Sequence, residues 1–156
     1  DNLYKELRSK TDIRKSVIVV CGDILHSKNT LSPEAIVITR NFFSSLSEIA
    51  PTFIIAGNHD TNMNNVNQQD ALEAIIYGMN VKNLYYLRNS GYYKFSNYLF
   101  VVNSVFPSSR WYSKLLQVNI PPNEDISKIT QIGLYHGTIS QSKTDVGYIL
   151  YDEKTI

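Results

Sequence analysis

The most constraining feature of the sequence is a strand–helix–strand pattern over residues 17–60. Residues 17–21 (VIVVC) form an uninterrupted apolar run, which is typical of a strand covered on both faces. The Ser-Pro pair at 32–33 suits the N-cap and first position of a helix, and Pro51 cannot continue that helix. Residues 52–56 (TFIIA) predict the next strand. The stretch therefore predicts a βαβ unit with parallel strands and an α/β fold.

The predicted helix carries apolar side chains at three- and four-residue steps. This spacing places them on one face, which we expect to be the buried face. These side chains are Ala35, Ile38, Phe42, Leu46 and Ile49.

A short segment with polar residues follows each of the two predicted strands: residues 22–26 (GDILH) and residues 57–60 (GNHD). Ligands of α/β sheets bind outside the carboxyl ends of parallel strands. If the two strands are neighbours, Asp23 and Asn58 leave the sheet at the same edge, each with a histidine close by. Carboxylate, amide oxygen and imidazole together suit a pair of manganese-, iron- or zinc-like ions better than calcium alone.

The three histidines of the chain are His26, His59 and His136. Taken singly, each is more often an ordinary polar residue than a ligand. Each nevertheless lies just beyond a predicted buried strand, the last of them after residues 129–135. This coincidence indicates a metal site.

These motifs resemble those of a known family, the calcineurin-like metallophosphoesterases. Residues 22–26 and 57–60 resemble its second and third signature motifs, and residues 134–137 (LYHG) resemble its fourth. Residues 27–34 (SKNTLSPE), and the histidine three positions after Asp23, resemble most closely the SbcD-type double-strand-break repair nucleases. Protein serine/threonine phosphatases carry Asp-Arg-Gly after the aspartate and Gly-Asn-His-Glu in the later motif. This chain has neither motif, which argues against that branch of the family. The resemblance implies a layered sandwich of mixed β-sheets flanked by helices, with residues 1–156 part of a single domain.

The resemblance also implies a metal centre with two divalent ions. Asp23 would bridge the ions, and Asn58 and His136 would ligate one of them. The ions would be manganese, with iron or zinc as alternatives. The implied activity is two-metal hydrolysis of DNA phosphodiesters.

Three further site residues are implied by the same resemblance. His59 would stand beside the scissile phosphate and stabilise charge or protonate the leaving oxygen. His26 would hold or rotate the phosphate. Asp60 would orient His59 from the second shell of the centre.

Two family motifs do not occur in the chain: Asp-x-His at the beginning and Gly-His-x-His at the end. We therefore expect an internal fragment, incomplete at both ends, that is inactive alone. By family analogy, the partners would be DNA, an SMC-like ATPase subunit and a homodimer mate. The alternatives are a phosphatase or nucleotide phosphodiesterase of the same fold, and a scaffold that has lost its metals and binds protein partners.

The composition of the chain limits which partners and which cellular compartment can be inferred. Fifteen basic and fourteen acidic residues give a formal charge of +1, which argues neither for nor against nucleic acid. The single Cys21 excludes an internal disulfide, so we expect an intracellular protein, cytoplasmic or nuclear, with Cys21 as a small buried strand residue. No apolar run approaches the roughly 20 residues that span a bilayer.

The second half of the chain is rich in tyrosine. Residues 83–87 and 92–95, separated by an Asn-Ser-Gly turn, predict a β-hairpin, and residues 98–106 predict a third strand of that run. Stacking of bases on these tyrosines is possible in principle. We expect half-buried strand residues instead.

Overall fold

A computed structural model of the chain describes residues 2–10, 12, 15–26, 30–61, 69–106, 125–137, 141–143 and 146–149. Its helices and strands follow in the order α1 (Asn2–Lys10), β1 (Ile18–Cys21), α2 (Pro33–Ile49), β2 (Thr52–Ile55), α3 (Ala71–Ile76), β3 (Leu84–Tyr86), β4 (Gly91–Phe95), β5 (Tyr98–Asn103) and β6 (Thr130–Tyr135), with a short 3₁₀ turn at Ile126–Lys128 before β6. The mixed α/β class predicted from the sequence is confirmed.

The strands form two three-stranded sheets. The first sheet is parallel, in the order β1-β2-β3, and the second has the order β4-β5-β6 with one antiparallel and one parallel pair. In the first sheet Cys21 pairs with Ile55, so β1 and β2 end at the same edge. The predicted βαβ unit with neighbouring strands is confirmed.

Alternating side chains of β2 face two different cores, as the strand period of two requires. Ile54 packs towards α2 and α3, in a cluster with Phe43 and Leu72. Phe53 and Ile55 pack between the two sheets, where the Phe53 and Phe100 rings lie 4.4 Å apart. The molecule is therefore layered, with helices, first sheet and second sheet in succession.

Helix α2 begins as predicted, because Ser32 Oγ accepts a hydrogen bond from the Ala35 N–H at 3.2 Å. Its buried face agrees with the prediction only in part. Leu46 and Ile49 are buried as predicted, whereas Ile38 is 67% exposed and Thr39 and Phe43 are buried instead. Two overlapping apolar stripes fit the helical period here, and only the packing against the first sheet decides between them.

The predicted hairpin over residues 83–95 is wrong. Strand β3 pairs in parallel with β2 of the first sheet, whereas β4 pairs with β5 of the second. The chain crosses between the sheets after Arg88. The Arg88 guanidinium lies over the Phe106 ring, 4.0 Å from its centroid. Its Nε atom lies 2.9 Å from the buried Asp70 carboxylate. A tight turn at residues 96–97, where Ser96 adopts a φ of 51°, joins the antiparallel pair β4 and β5. Most of the strand tyrosines are half-buried as expected (Tyr86, Tyr92, Tyr93 and Tyr98), whereas Tyr85 is exposed.

Candidate metal centre

The structure brings together side chains that follow three different strands. His136 follows β6, Asn58 follows β2, and Asp23 follows β1. The Nε2 atom of His136 lies 3.1 Å from Asn58 Oδ1 and 3.3 Å from Asp23 Oδ2. The three side chains predicted as metal ligands therefore meet at one point, where the carboxyl ends of strands from both sheets converge.

A backbone contact fixes the orientation of the His136 ring. Its Nδ1 atom lies 2.7 Å from the carbonyl oxygen of Cys21, and a carbonyl can only accept, so Nδ1 carries the proton. In the neutral ring, Nε2 then presents a lone pair to two oxygen atoms that also carry lone pairs. Three acceptors at this separation repel one another, and a metal ion bound among them would remove that repulsion.

The spacing and chemistry of these donors fit a divalent ion. Adjacent ligand atoms lie about 3.0 Å apart around an octahedral ion and about 3.4 Å apart around a tetrahedral one when the bonds are about 2.1 Å long. The part of the chain that the structure describes contains no group of three or more His, Cys, Asp or Glu side chains able to hold a metal. The centre has two such side chains, and its third donor is the amide of Asn58. The ligand roles of these three side chains, the number of ions and the identity of the metal stay predictions.

Two glycines let the strand ends approach closely. A Cβ atom on Gly22 would lie 2.5 Å from the backbone nitrogen of Gly57 and 2.8 Å from His136 Nδ1. A Cβ atom on Gly57 would clash with the backbone nitrogen and the carboxylate of Asp23. The centre is therefore assembled by direct backbone packing of residues 22–26 against residues 56–61. We refer to these two segments as the first and second exit loops.

The carboxylate of Asp60 joins the two exit loops. Its Oδ2 accepts hydrogen bonds from the N–H groups of Asp23 and Gly57, both at 2.8 Å, and its Oδ1 accepts one from Leu25 at 2.9 Å. Burial raises the pKa of this carboxyl group, and the three N–H groups oppose the rise.

The expected contact between Asp60 and His59 is not found. Among the described residues, the carboxylate of Asp60 bonds to backbone N–H groups and not to the His59 ring. The reason is that the tight turn after β2 directs this carboxylate into the protein, where it is 0% exposed, whereas His59 stays on the surface. Its assignment to the second shell of the centre stays a prediction.

His26 and His59 form a pair beside the centre. Their rings are stacked, with centroids 5.9 Å apart and planes 10° from parallel, and both residues are exposed. The backbone N–H of His59 donates to Asp23 Oδ1 at 3.1 Å, which links this pair to the three donors. The arrangement places two exposed imidazoles beside the three donors.

Two features next to the centre differ from the sequence-based expectations or were missed by them. Cys21, expected to be buried, is exposed, because it is the last residue of β1 at the open end of the sheet. Its backbone carbonyl orients His136, a role that leaves no signal in side-chain patterns. A groove of about 600 Å³ also opens beside Asp23 and is lined by Ile38, Phe42 and Tyr4.

The remaining predictions from the sequence meet the structure only in part. Residues 27–29 of the extension that resembles the nuclease subgroup lie outside the described residues. None of the described helices combines the length and the apolar character that a membrane span requires.

Comparisons with known proteins are consistent with this geometry. The family model for calcineurin-like phosphoesterases matches residues 1–154. The uncharacterized protein R555 of Acanthamoeba polyphaga mimivirus is 43% identical over 162 residues. That match covers 100% of this chain and 12% of the viral protein, so the chain spans about an eighth of the length of this relative. No solved structure matches the chain significantly. With nearly all of its length matched by the family model, and with the family's motif residues gathered at the ends of its strands, the chain belongs to the calcineurin-like phosphoesterase family.

Proposed function

We propose that the full-length protein is a metal-dependent phosphoester hydrolase. The observation that carries this proposal is the convergence of His136 Nε2, Asn58 Oδ1 and Asp23 Oδ2 within 3.1–3.3 Å at the end of the sheets. An imidazole nitrogen with two oxygen donors fits a manganese-, iron- or zinc-like ion. Family membership supports the same chemistry.

Each residue of the centre has a separate role in the proposed reaction. Asp23, Asn58 and His136 would hold metal, and Cys21 keeps the His136 ring in the required tautomer through its carbonyl. When bound, divalent ions lower the pKa of a water molecule and neutralise charge on the phosphate. The exposed ring of His59 is available to stabilise the phosphate or to donate a proton to the leaving oxygen.

His26 extends the same surface. Its ring lies parallel to that of His59, so the two imidazoles can contact one phosphate group from the same side. Hydrolysis at such a site depends on positioning and electrostatics, and the backbone contacts of the exit loops provide the positioning.

A narrower proposal is that the substrate is DNA, as in the SbcD-type nucleases. It is supported by the sequence of residues 22–34, in which the histidine follows the aspartate by three positions. Manganese as the metal, and an SMC-like ATPase and a second copy of the protein as partners, belong to this narrower proposal.

The test is an assay of the full-length protein on four substrates: linear duplex DNA, bis(p-nitrophenyl) phosphate, a mononucleotide and a phosphopeptide. Each is incubated with Mn²⁺, Zn²⁺ or EDTA. Cleavage of DNA and of the small diester with Mn²⁺, and none with EDTA, supports the nuclease proposal. Cleavage of the monoesters alone supports a phosphatase, and cleavage of the small diester without cleavage of DNA supports a nucleotide phosphodiesterase. No turnover with any metal supports a non-catalytic scaffold and contradicts the proposed function.

A further inference from the structure

We infer that Asp60 is a positioning residue that holds the first and second exit loops at a set separation. By doing so it also positions the ligand atoms that each loop carries. This inference rests on the proposed function for its consequence, because the atoms positioned are those of the candidate metal centre. It assigns Asp60 a role different from orienting His59.

The contacts of Asp60 connect the two loops directly. The N–H groups of Asp23 and Leu25 belong to the first exit loop, and the N–H of Gly57 belongs to the second. One oxygen atom, Oδ2, accepts from Asp23 and from Gly57 at the same distance of 2.8 Å. A single atom therefore fixes the backbone of both loops relative to each other.

The chemistry of the contact requires a carboxylate. Three donors converge on one buried side chain, and an ionised carboxylate offers two oxygen atoms with lone pairs for all of them. An asparagine at this position would turn its NH₂ group towards at least one N–H. Because the side chain is 0% exposed, water does not satisfy the donor that is left.

Asp60 affects the proposed ligand atoms through the backbone of Asp23. Asp23 has a φ of 52°, in the left-handed region, and its N–H is held by Asp60. From this backbone the Asp23 carboxylate reaches His136 Nε2 and the N–H of His59. Loss of the Asp60 contact frees that backbone, so the carboxylate would no longer be aimed at the centre.

The chain offers a matched control in Asp70, another buried carboxylate that accepts three hydrogen bonds. Its donors are the N–H of Glu73 at 2.7 Å, the Tyr86 hydroxyl at 3.0 Å and Arg88 Nε at 2.9 Å. Asp70 is 4% exposed, and it caps α3 without contacting Asp23 or Asn58. Asp70→Asn therefore removes a comparable buried charge and leaves all three hydrogen bonds of the Asp60 carboxylate in place, although the neighbouring Ala71 N–H donates to the Asp60 carbonyl at 3.3 Å.

The first experiment measures binding of Mn²⁺ alone to the full-length protein by electron paramagnetic resonance of the free ion. We expect Asp60→Asn to weaken Mn²⁺ binding by about 10- to 100-fold, the range typical of outer-shell changes. Asp70→Asn should lower the melting temperature and leave the affinity for Mn²⁺ within about threefold. Equal loss of affinity in both variants would show that Asp60 only stabilises the fold, which contradicts the inference. Unchanged affinity in Asp60→Asn would also overturn it.

The second experiment needs no metal and separates this inference from the proposed function. Hydrogen exchange in metal-free protein should show slow exchange of the amides of Asp23, Leu25 and Gly57, and Asp60→Asn should accelerate all three. If wild-type protein binds no Mn²⁺, the proposed function fails while these amides still decide whether Asp60 positions the loops. If Asp60→Asn does not fold, the wild-type amides decide it: slow exchange supports the inference, and fast exchange overturns it.

Discussion

The Nε2 atom of His136 lies 3.1 Å from the Oδ1 atom of Asn58, although 78 positions of sequence separate the two residues. His136 follows the last strand of the second sheet, and Asn58 follows the central strand of the first. The candidate centre therefore exists only when the two sheets are packed together. Its geometry depends on the apolar contacts of Phe53 and Phe100 between the sheets as well as on the polar residues themselves.

The first prediction concerns His136. We expect His136→Ala to weaken Mn²⁺ binding about tenfold or more, because it removes the nitrogen donor that faces both oxygen donors. Isothermal titration of the full-length protein with Mn²⁺ measures this. His26→Ala is the control, since its ring is stacked on His59 outside the three-donor set, and it should keep the wild-type affinity. Identical affinities for wild type and His136→Ala would remove His136 from the centre.

The second prediction concerns the charge of Asp23. Asp23→Asn should lower Mn²⁺-dependent hydrolysis of bis(p-nitrophenyl) phosphate about 100-fold or more, because the carboxylate is the proposed anionic ligand of the centre. Asparagine tolerates the left-handed backbone at this position, where φ is 52°, so the fold should be retained. Circular dichroism checks the fold, and wild-type turnover by the variant would defeat the assignment.

The third prediction separates metal binding from cleavage. His59→Ala should bind Mn²⁺ within about threefold of wild type and lose about 100-fold or more in turnover, the effect of removing a general acid. The backbone N–H of His59, which holds Asp23 Oδ1, is unchanged by this substitution. Parallel titration and assay of one preparation measure both quantities. Joint loss of metal and cleavage in a folded variant would identify His59 as a ligand.

The fourth prediction concerns the close approach of the exit loops. Gly57→Ala should destabilise the protein by about 1–3 kcal/mol, the usual cost of overpacking, because the new methyl group clashes with Asp23. Gly133→Ala, in β6, is the control: among the described residues its methyl group meets no atom within 4 Å, and its effect should stay within about 0.5 kcal/mol. Urea unfolding of both variants compares the free energies. A Gly57→Ala protein as stable as wild type would contradict the observed packing of the loops.

Local sequence patterns were sufficient for much of the first half of the fold. The apolar run before Gly22, the Ser32 cap and the break at Pro51 each act within a few residues, and the structure confirms the strands and the helix that they delimit. The placement of Asp23, Asn58 and His136 just beyond strands followed from the same patterns. Their meeting at one point required the additional knowledge of which strands are neighbours.

What the sequence by itself determined, then, is the strand–helix–strand order of residues 17–56 and which polar side chains follow those strands, because caps, prolines and apolar periodicity act locally. Only the tertiary structure decided that residues 84–86 pair with β2 and not with β4, and that Ile38 lies on the surface while Thr39 is buried. It also decided that Asp60 holds two loops through backbone N–H groups and that the Cys21 carbonyl orients His136. Backbone donors and acceptors are the same in every residue, so their partners are set by how the sheets pack and are not encoded in any local pattern.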